Sequence, residues 1–220
     1  MPHTTNFQRA RSTQAKEERS AALLRAAREL ATRSGVRAVT LTEIATAAGV
    51  HVSGVRRYFG SREEIYLRLA AQEWDSWAHT VAEALAGRHD VPAADLADLL
   101  SGTLAERPLF CDLLPHVPLT LEREVPQETV REFKLAALDA VTTLAEAITA
   151  STALTTEQAH DLIAAVTALA GGLWQVAHPP QTLSTLYAQD PRLAHAASDF
   201  TPRLTRLVAA LLTGLPTGTR

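Results

Sequence analysis

Apolar residues recur every third or fourth position almost from one end of this 220-residue chain to the other, and no run alternates as a half-buried strand does. That single pattern confines the chain to an all-α fold. Leu23, Ala26, Ala27, Leu30 and Ala31 form a first stripe, closed near Ser34-Gly35, where glycine suits a left-handed helix cap. Thr40 with Glu43, and Ser61 with Glu64, have the form of capping boxes that open new helices. Ala70, Trp74, Trp77, Val81 and Leu85 continue the second of these as a long helix. Pro92 opens another, and the prolines at 108, 115 and 118 predict only a short helix around Leu109 to Leu114.

Val130, Phe133, Ala137, Val141, Leu144 and Ile148 make the clearest stripe, with Leu135 and Leu138 on another side. Thr155 and Gln158 cap a helix reaching Ala177, and Phe200, Leu204, Leu207 and Leu211 mark the last. The expectation is about nine or ten helices, in a small N-terminal group and a larger bundle. Residues 1–15 are polar and unpatterned and read as a flexible arm, 16–62 as the small group, and 63–220 as the bundle.

Composition narrows the function. The single cysteine, Cys111, excludes an internal disulfide and a Cys-rich zinc site, and a lone buried thiol is more often inert than an oxidant sensor. The histidines show neither HxxxH nor HExxH spacing, so no metal or other cofactor is expected. No stretch approaches the roughly 18 apolar residues of a membrane span, and the first twenty residues lack the apolar core of a secretory signal. A cytoplasmic protein is expected. GxSxG elbows and Gly-rich phosphate loops are missing as well, which argues against an enzyme.

The net charge of −3 conceals a division. Through Ile65, 11 Lys/Arg stand against 6 Asp/Glu, giving +5; the rest of the chain carries −8. A basic module joined to an acidic body suits a protein whose one end meets a polyanion.

Inside that basic part, Thr40 to Phe59 reads TLTEIATAAGVHVSGVRRYF: helix, glycine turn, helix. Ile44, Ala45, Ala48, Val50 and Val55 supply the small apolar contacts of a helix-turn-helix, and the second helix is expected from Val52 to Phe59. In such a motif the N-terminal residues of the second helix face base edges in the major groove. Here those are His51, Val52, Ser53 and Gly54, with Arg56 and Arg57 projecting outward.

From Arg19-Ser20-Ala21-Ala22-Leu23-Leu24 through AARELATRSGVRAVTLTEIATAAGV to YFGSREEI, the chain resembles the tetracycline-repressor (TetR) family of transcriptional regulators. The resemblance covers about fifty residues, Arg19 to Leu69, and beyond them extends only to length and helical character. It departs from the family at His51, where serine is usual, and at Arg56, where an aromatic residue commonly touches the backbone. It implies contacts to the DNA backbone from Thr40, Thr42, Arg56, Arg57, Tyr58 and Arg62. Each has a plainer alternative. Thr40 then only caps its helix, Tyr58 packs against Ile65, and the arginines are solvated surface charges. Arg9 and Arg11 in the arm either reach a neighbouring minor groove or have no role.

The resemblance further implies a homodimer on a palindromic operator in double-stranded DNA, with recognition helices about 34–36 Å apart. Its implied dimer contact is a four-helix bundle built from about Thr155–Ala177 and Asp199–Leu212, with Gly171-Gly172 allowing close approach. A small-molecule effector in the bundle then releases a repressor from DNA. Trp74, Trp77, Phe110, Phe133 and Trp174, and also Tyr187, are candidates to line the effector cavity, although aromatics at helical spacing are more often plain core. The rival reading is a helical small-molecule-binding or scaffold protein whose helix-turn-helix meets another protein.

Overall fold

The structure, a computed structural model, describes residues 4–190, 192–193 and 199–215, with the side chains of 4–13 and 15 excepted. The described residues form ten α-helices and one 3₁₀ turn and contain no strand. α1 (Thr4–Ser34), α2 (Leu41–Ala47) and α3 (Val52–Val55) make the small N-terminal group, called here the head. α4 (Arg62–Leu85), α5 (Ala93–Ala105), α6 (Pro108–Leu119), the 3₁₀ turn Leu121–Arg123, α7 (Gln127–Ser151), α8 (Thr156–Ala177), α9 (Gln181–Gln189) and α10 (Phe200–Gly214) make the body.

Local sequence accounts for most boundaries. Gly35 stops α1 with φ of 81° while its amide returns to the Ala31 carbonyl at 2.8 Å. Thr40 and Glu43 form a complete capping box on α2, and Thr155 and Gln158 form another on α8. Gly49, at φ 68°, makes the turn between α2 and α3.

Three expectations are corrected. The arm expected over residues 1–15 is helical from Thr4 onward. No proline or glycine interrupts residues 4–15, and their Arg, Gln and Ala are good helix formers even without an apolar stripe. Arg9 and Arg11 have side chains outside the described residues. The helix expected around Leu109 to Leu114 runs on to Leu119, with Pro115 and Pro118 inside it. Only its last turn lacks the two amides, and Gly171 of α8 leaves room for the Pro115 ring. The second helix of the motif, expected from Val52 to Phe59, is α3 and ends at Val55.

Apolar side chains gather into two clusters. The head cluster takes Leu23, Ala27, Ile44, Ala45, Val55 and Phe59, and is closed by Ile65, Tyr66, Leu69 and Ala70 of α4. The body cluster begins further along the same helix with Trp77, Ala78, Val81 and Leu85. α4 is therefore one rigid rod rooted in both.

α6 is shared in a different way. Leu109, Leu113 and Val117, one i, i+4 stripe, belong to the head cluster, whereas Phe110 and Cys111 belong to the body cluster. At about 1.5–3 kcal/mol for each large apolar side chain buried, that stripe anchors the head to α6 strongly.

Candidate nucleic-acid interface and effector cavity

The turn after Gly49 presents a short recognition element. α3 is four residues long, ending at Val55 rather than at Phe59. Beyond it the chain continues mainly in three-residue turns, Arg57 N bonding to Gly54 O at 3.2 Å and Tyr58 N to Val55 O at 2.8 Å, before one four-residue return from Phe59 N to Val55 O at 3.0 Å. Gly54 weakens a regular α-helix by about 1 kcal/mol relative to alanine, and tightened i→i+3 bonds are the common substitute in so short a piece. His51 caps the element: its Nδ1 lies 2.8 Å from Ser53 Oγ and accepts the Ser53 amide at 3.3 Å.

The expected contact residues separate into two groups. Thr42, His51, Ser53, Arg56 and Arg57 are exposed, and neither arginine has an ion pair among the described residues. Val52, Gly54 and Tyr58 are half-buried, with Val52 and Tyr58 packed against the head cluster. Thr40 is exposed but engaged, donating its hydroxyl to Glu43 Oε2 at 2.7 Å and accepting the Glu43 amide at 3.3 Å. The Thr40 hydroxyl, and the Thr40 amide donating to the same oxygen at 2.7 Å, hold the Glu43 carboxyl below its usual range.

Arg62 differs most from expectation. Its Nη1 donates to the carbonyls of Val36 at 2.8 Å and Val39 at 3.0 Å, and its Nε donates to Glu63 at 2.9 Å. Its guanidinium also lies 5.3 Å from the centre of the Tyr66 ring. The side chain expected on a phosphate is a clamp on the loop between α1 and α2. Arg37 in that loop was missed. It is exposed and shares with Arg56 a shallow groove beside Thr40 and Gly60. Its only sequence signal was a positive charge just before a capping box.

The effector candidates also divide. Trp74 and Phe133 line an open apolar cavity of about 590 Å³ between α4, α6, α7 and α8, with Val117, Val141 and Ile163. Lys134 and Glu122, paired at 2.7 Å, belong to the same lining. Trp77 and Phe110 do not line it. Both are fully buried and meet Trp74 edge-on at 5.9 and 5.2 Å and each other tilted at 5.8 Å, and Trp77 Nε1 donates to Thr103 Oγ1 at 3.0 Å. These two are core, Trp77 from α4 and Phe110 from α6 meeting inside the body cluster. Trp174 lines a separate cleft between head and body, and Tyr187 is half-buried on α9.

Trp74 has a particular place. It packs against both the head and the body cluster and forms part of the cavity wall. Other links run from body to head. Glu73 of α4 pairs with Arg28 of α1, and Asp112 of α6 accepts the amide of Val36. Cys111 lies buried beside these groups, with burial pushing its thiol up to about 12. A thiol so protonated is a poor nucleophile.

Gly171 has an intrachain role. A side chain there would meet Pro115 Cδ at 3.0 Å and Leu114 Cβ at 3.1 Å, so it allows α8 to approach α6. Gly172 meets nothing and continues an exposed small-residue stripe with Ala164 and Ala168. Among the described residues no single helix is long and apolar enough to cross a membrane.

Residues 23–69 match the family model described as bacterial regulatory proteins, tetR family, and residues 71–219 match the tetracyclin repressor-like C-terminal domain. No curated protein matches the chain. Among solved structures, Thermus thermophilus FadR, a TetR-family transcriptional repressor in complex with lauroyl-CoA, is 19% identical. It superposes with a TM-score of 0.57 over 91% of this chain and 97% of its own. A possible TetR-family transcriptional regulator from Streptomyces coelicolor A3(2) gives 0.56 at 19% identity, over 89% and 97%. The regulator FadR from Bacillus subtilis in complex with stearoyl-CoA gives 0.54 at 15% identity, over 88% and 97%. At such identities the likeness is one of fold.

Proposed function

Because the chain belongs to the TetR family of bacterial transcriptional regulators, we propose that it is a homodimeric, non-enzymatic repressor of the cytoplasm, released from a palindromic operator by a largely apolar small molecule. Thr42, His51 and Ser53 face the bases or their flanking backbone, while Arg37, Arg56 and Arg57 meet phosphates. A single short helix reads only a few base pairs, so two copies on a twofold site supply the specificity. The exposed stripes of α8, with Ala164, Ala168 and Gly172, and of α10, with Leu207 and Ala210, suit the contact between copies.

One observation carries the ligand response: Trp74 borders the apolar cavity and both clusters on an unbroken α4. A molecule in that cavity pushes on the rod that ends at the head. It favours release by the difference in its affinity for the two arrangements of the heads. The lining takes an aliphatic chain, the class of ligand named for the two acyl-CoA complexes above.

Binding of the full-length protein to its own upstream DNA tests the reading. The expected result is an affinity that falls steeply with salt and collapses in Arg56→Ala/Arg57→Ala while circular dichroism stays native. Salt-insensitive or absent binding across that DNA overturns it.

A further inference from the structure

A second cleft, of about 670 Å³, lies where head meets body, outside the helical bundle that holds the apolar cavity. One wall is the end of α1 and its following loop, with Arg33, Val36 and Arg37; the other is α6 and the end of α8, with His116, Trp174 and His178. Its size falls in the range of small-molecule sites.

Its chemistry differs from that of the apolar cavity. Arg33 and Arg37 have no carboxylate partner among the described residues. The carboxylate in the wall, Asp112, is fully used: Oδ2 accepts the Val36 amide and Oδ1 accepts Gln175 Nε2, each at 2.7 Å. Two unneutralised guanidinium groups therefore set the sign of the field. His116 Nε2 in the same wall is buried with no hydrogen-bond partner, and Asp112 Oδ1, already taken by Gln175, lies 3.8 Å from it. The rings of Trp174 and His178 stack at 3.7 Å with 24° between planes, giving the cleft a flat π surface. From two arginines without carboxylate partners, an imidazole nitrogen without a hydrogen bond and a stacked aromatic wall, we propose that this cleft binds a planar organic anion, such as an aromatic carboxylate.

The anion meets Arg33 and Arg37 through charge-assisted hydrogen bonds, and the ring lies against the Trp174–His178 wall. Arg37 also borders the groove it shares with Arg56. An anion held in the cleft draws that guanidinium away from DNA phosphate. This regulatory consequence rests on the DNA-binding reading above; the binding itself does not.

The test is calorimetric titration of the full-length protein with 1-naphthoate and with the neutral 1-naphthamide. Naphthoate is expected to bind, with Kd about tenfold higher in Arg33→Gln/Arg37→Gln, and the amide about tenfold weaker than naphthoate on the unaltered protein. Ala137→Trp, which fills the apolar cavity instead, is expected to leave naphthoate binding unchanged. The amide comparison needs no variant, so a misfolded double variant does not protect the proposal. Absent naphthoate binding, equal binding of acid and amide, undiminished binding by the folded double variant, or loss in Ala137→Trp overturns it. Upstream DNA binding measured on the same samples separates the two readings: naphthoate binding without DNA binding sinks the regulator, and the reverse sinks only this site.

Discussion

The carboxylate of Asp112 on α6 accepts the backbone amide of Val36, 76 positions away, at 2.7 Å. The carbonyl of the same Val36 accepts Arg62 of α4 at 2.8 Å. Both polar groups of one loop residue are thus held by the body, from two helices that also wall the apolar cavity or lead into it. The loop between α1 and α2, which leads into the helix-turn-helix, is thereby tied to two helices of the body.

Asp112→Asn tests that joint. Both oxygens of Asp112 accept, one from Val36 and one from Gln175, and an amide has only one oxygen. Asparagine keeps its oxygen on the Val36 amide and its NH2 meets the exposed Gln175, whose amide turns to accept, so the loss of charge on the Val36 bond is expected to lower stability by about 1 kcal/mol. Urea unfolding measures this. Stability equal to that of the parent removes Asp112 from the joint.

Arg62 and the Arg56–Arg57 pair are expected to fail in opposite assays. Each arginine on a phosphate contributes about 0.9 to the slope of log affinity against log salt, and a dimer presents each twice. Arg56→Ala/Arg57→Ala should lower that slope by about 2 to 4 with stability little changed. Arg62→Ala should leave the slope alone and cost about 1–3 kcal/mol in unfolding, because two loop carbonyls lose a charged donor. A reduced slope in Arg62→Ala with unaltered stability would return that residue to the DNA.

What the sequence disclosed follows from how local each signal is. The capping boxes at Thr40 and Thr155 and the glycine stops at 35 and 49 are written in neighbouring residues, and each stands where expected. α9 escaped although Leu183, Leu186 and Tyr187 fall on one face, because that stripe is short and follows directly on Pro179-Pro180. The hold of Arg62 on its loop was not legible because its partners, the carbonyls of Val36 and Val39, have no side-chain signature. Trp77 and Trp174 share one residue type and helical spacing, yet one is sealed in the core and the other borders a cleft. Only tertiary packing separates them.

Gly171 and Gly172 are adjacent and are expected to respond differently. A β-carbon at 171 sits 3.0 Å from the Pro115 ring, so Gly171→Leu should overpack the α6–α8 contact and cost about 1–3 kcal/mol. Gly172→Leu meets nothing within the chain and falls on the stripe proposed for the second copy. It should weaken self-association while the monomer's fold is kept. Sedimentation and thermal melting of both variants decide this, and an unchanged dimer in Gly172→Leu moves the interface elsewhere.

His116 gives the protein a pH dependence whose sign is fixed by its surroundings. Burial lowers its pKa below the ordinary 6.5; Asp112 opposes this, and Arg37 and Arg62 reinforce it. The unfolded chain therefore takes up a proton near pH 6.5 that the folded protein accepts only at lower pH. In that interval the unfolded state holds more protons, so stability rises with pH and is lost on acidification through 6.5. Below the folded value both states are protonated and the contribution levels off. His116→Gln cannot titrate, and its unfolding free energy should fall less than the parent's between about pH 7.5 and about pH 5.5. Urea unfolding at the two pH values compares them. Equal losses in parent and variant would show that His116 takes its proton as freely in the fold as in the open chain.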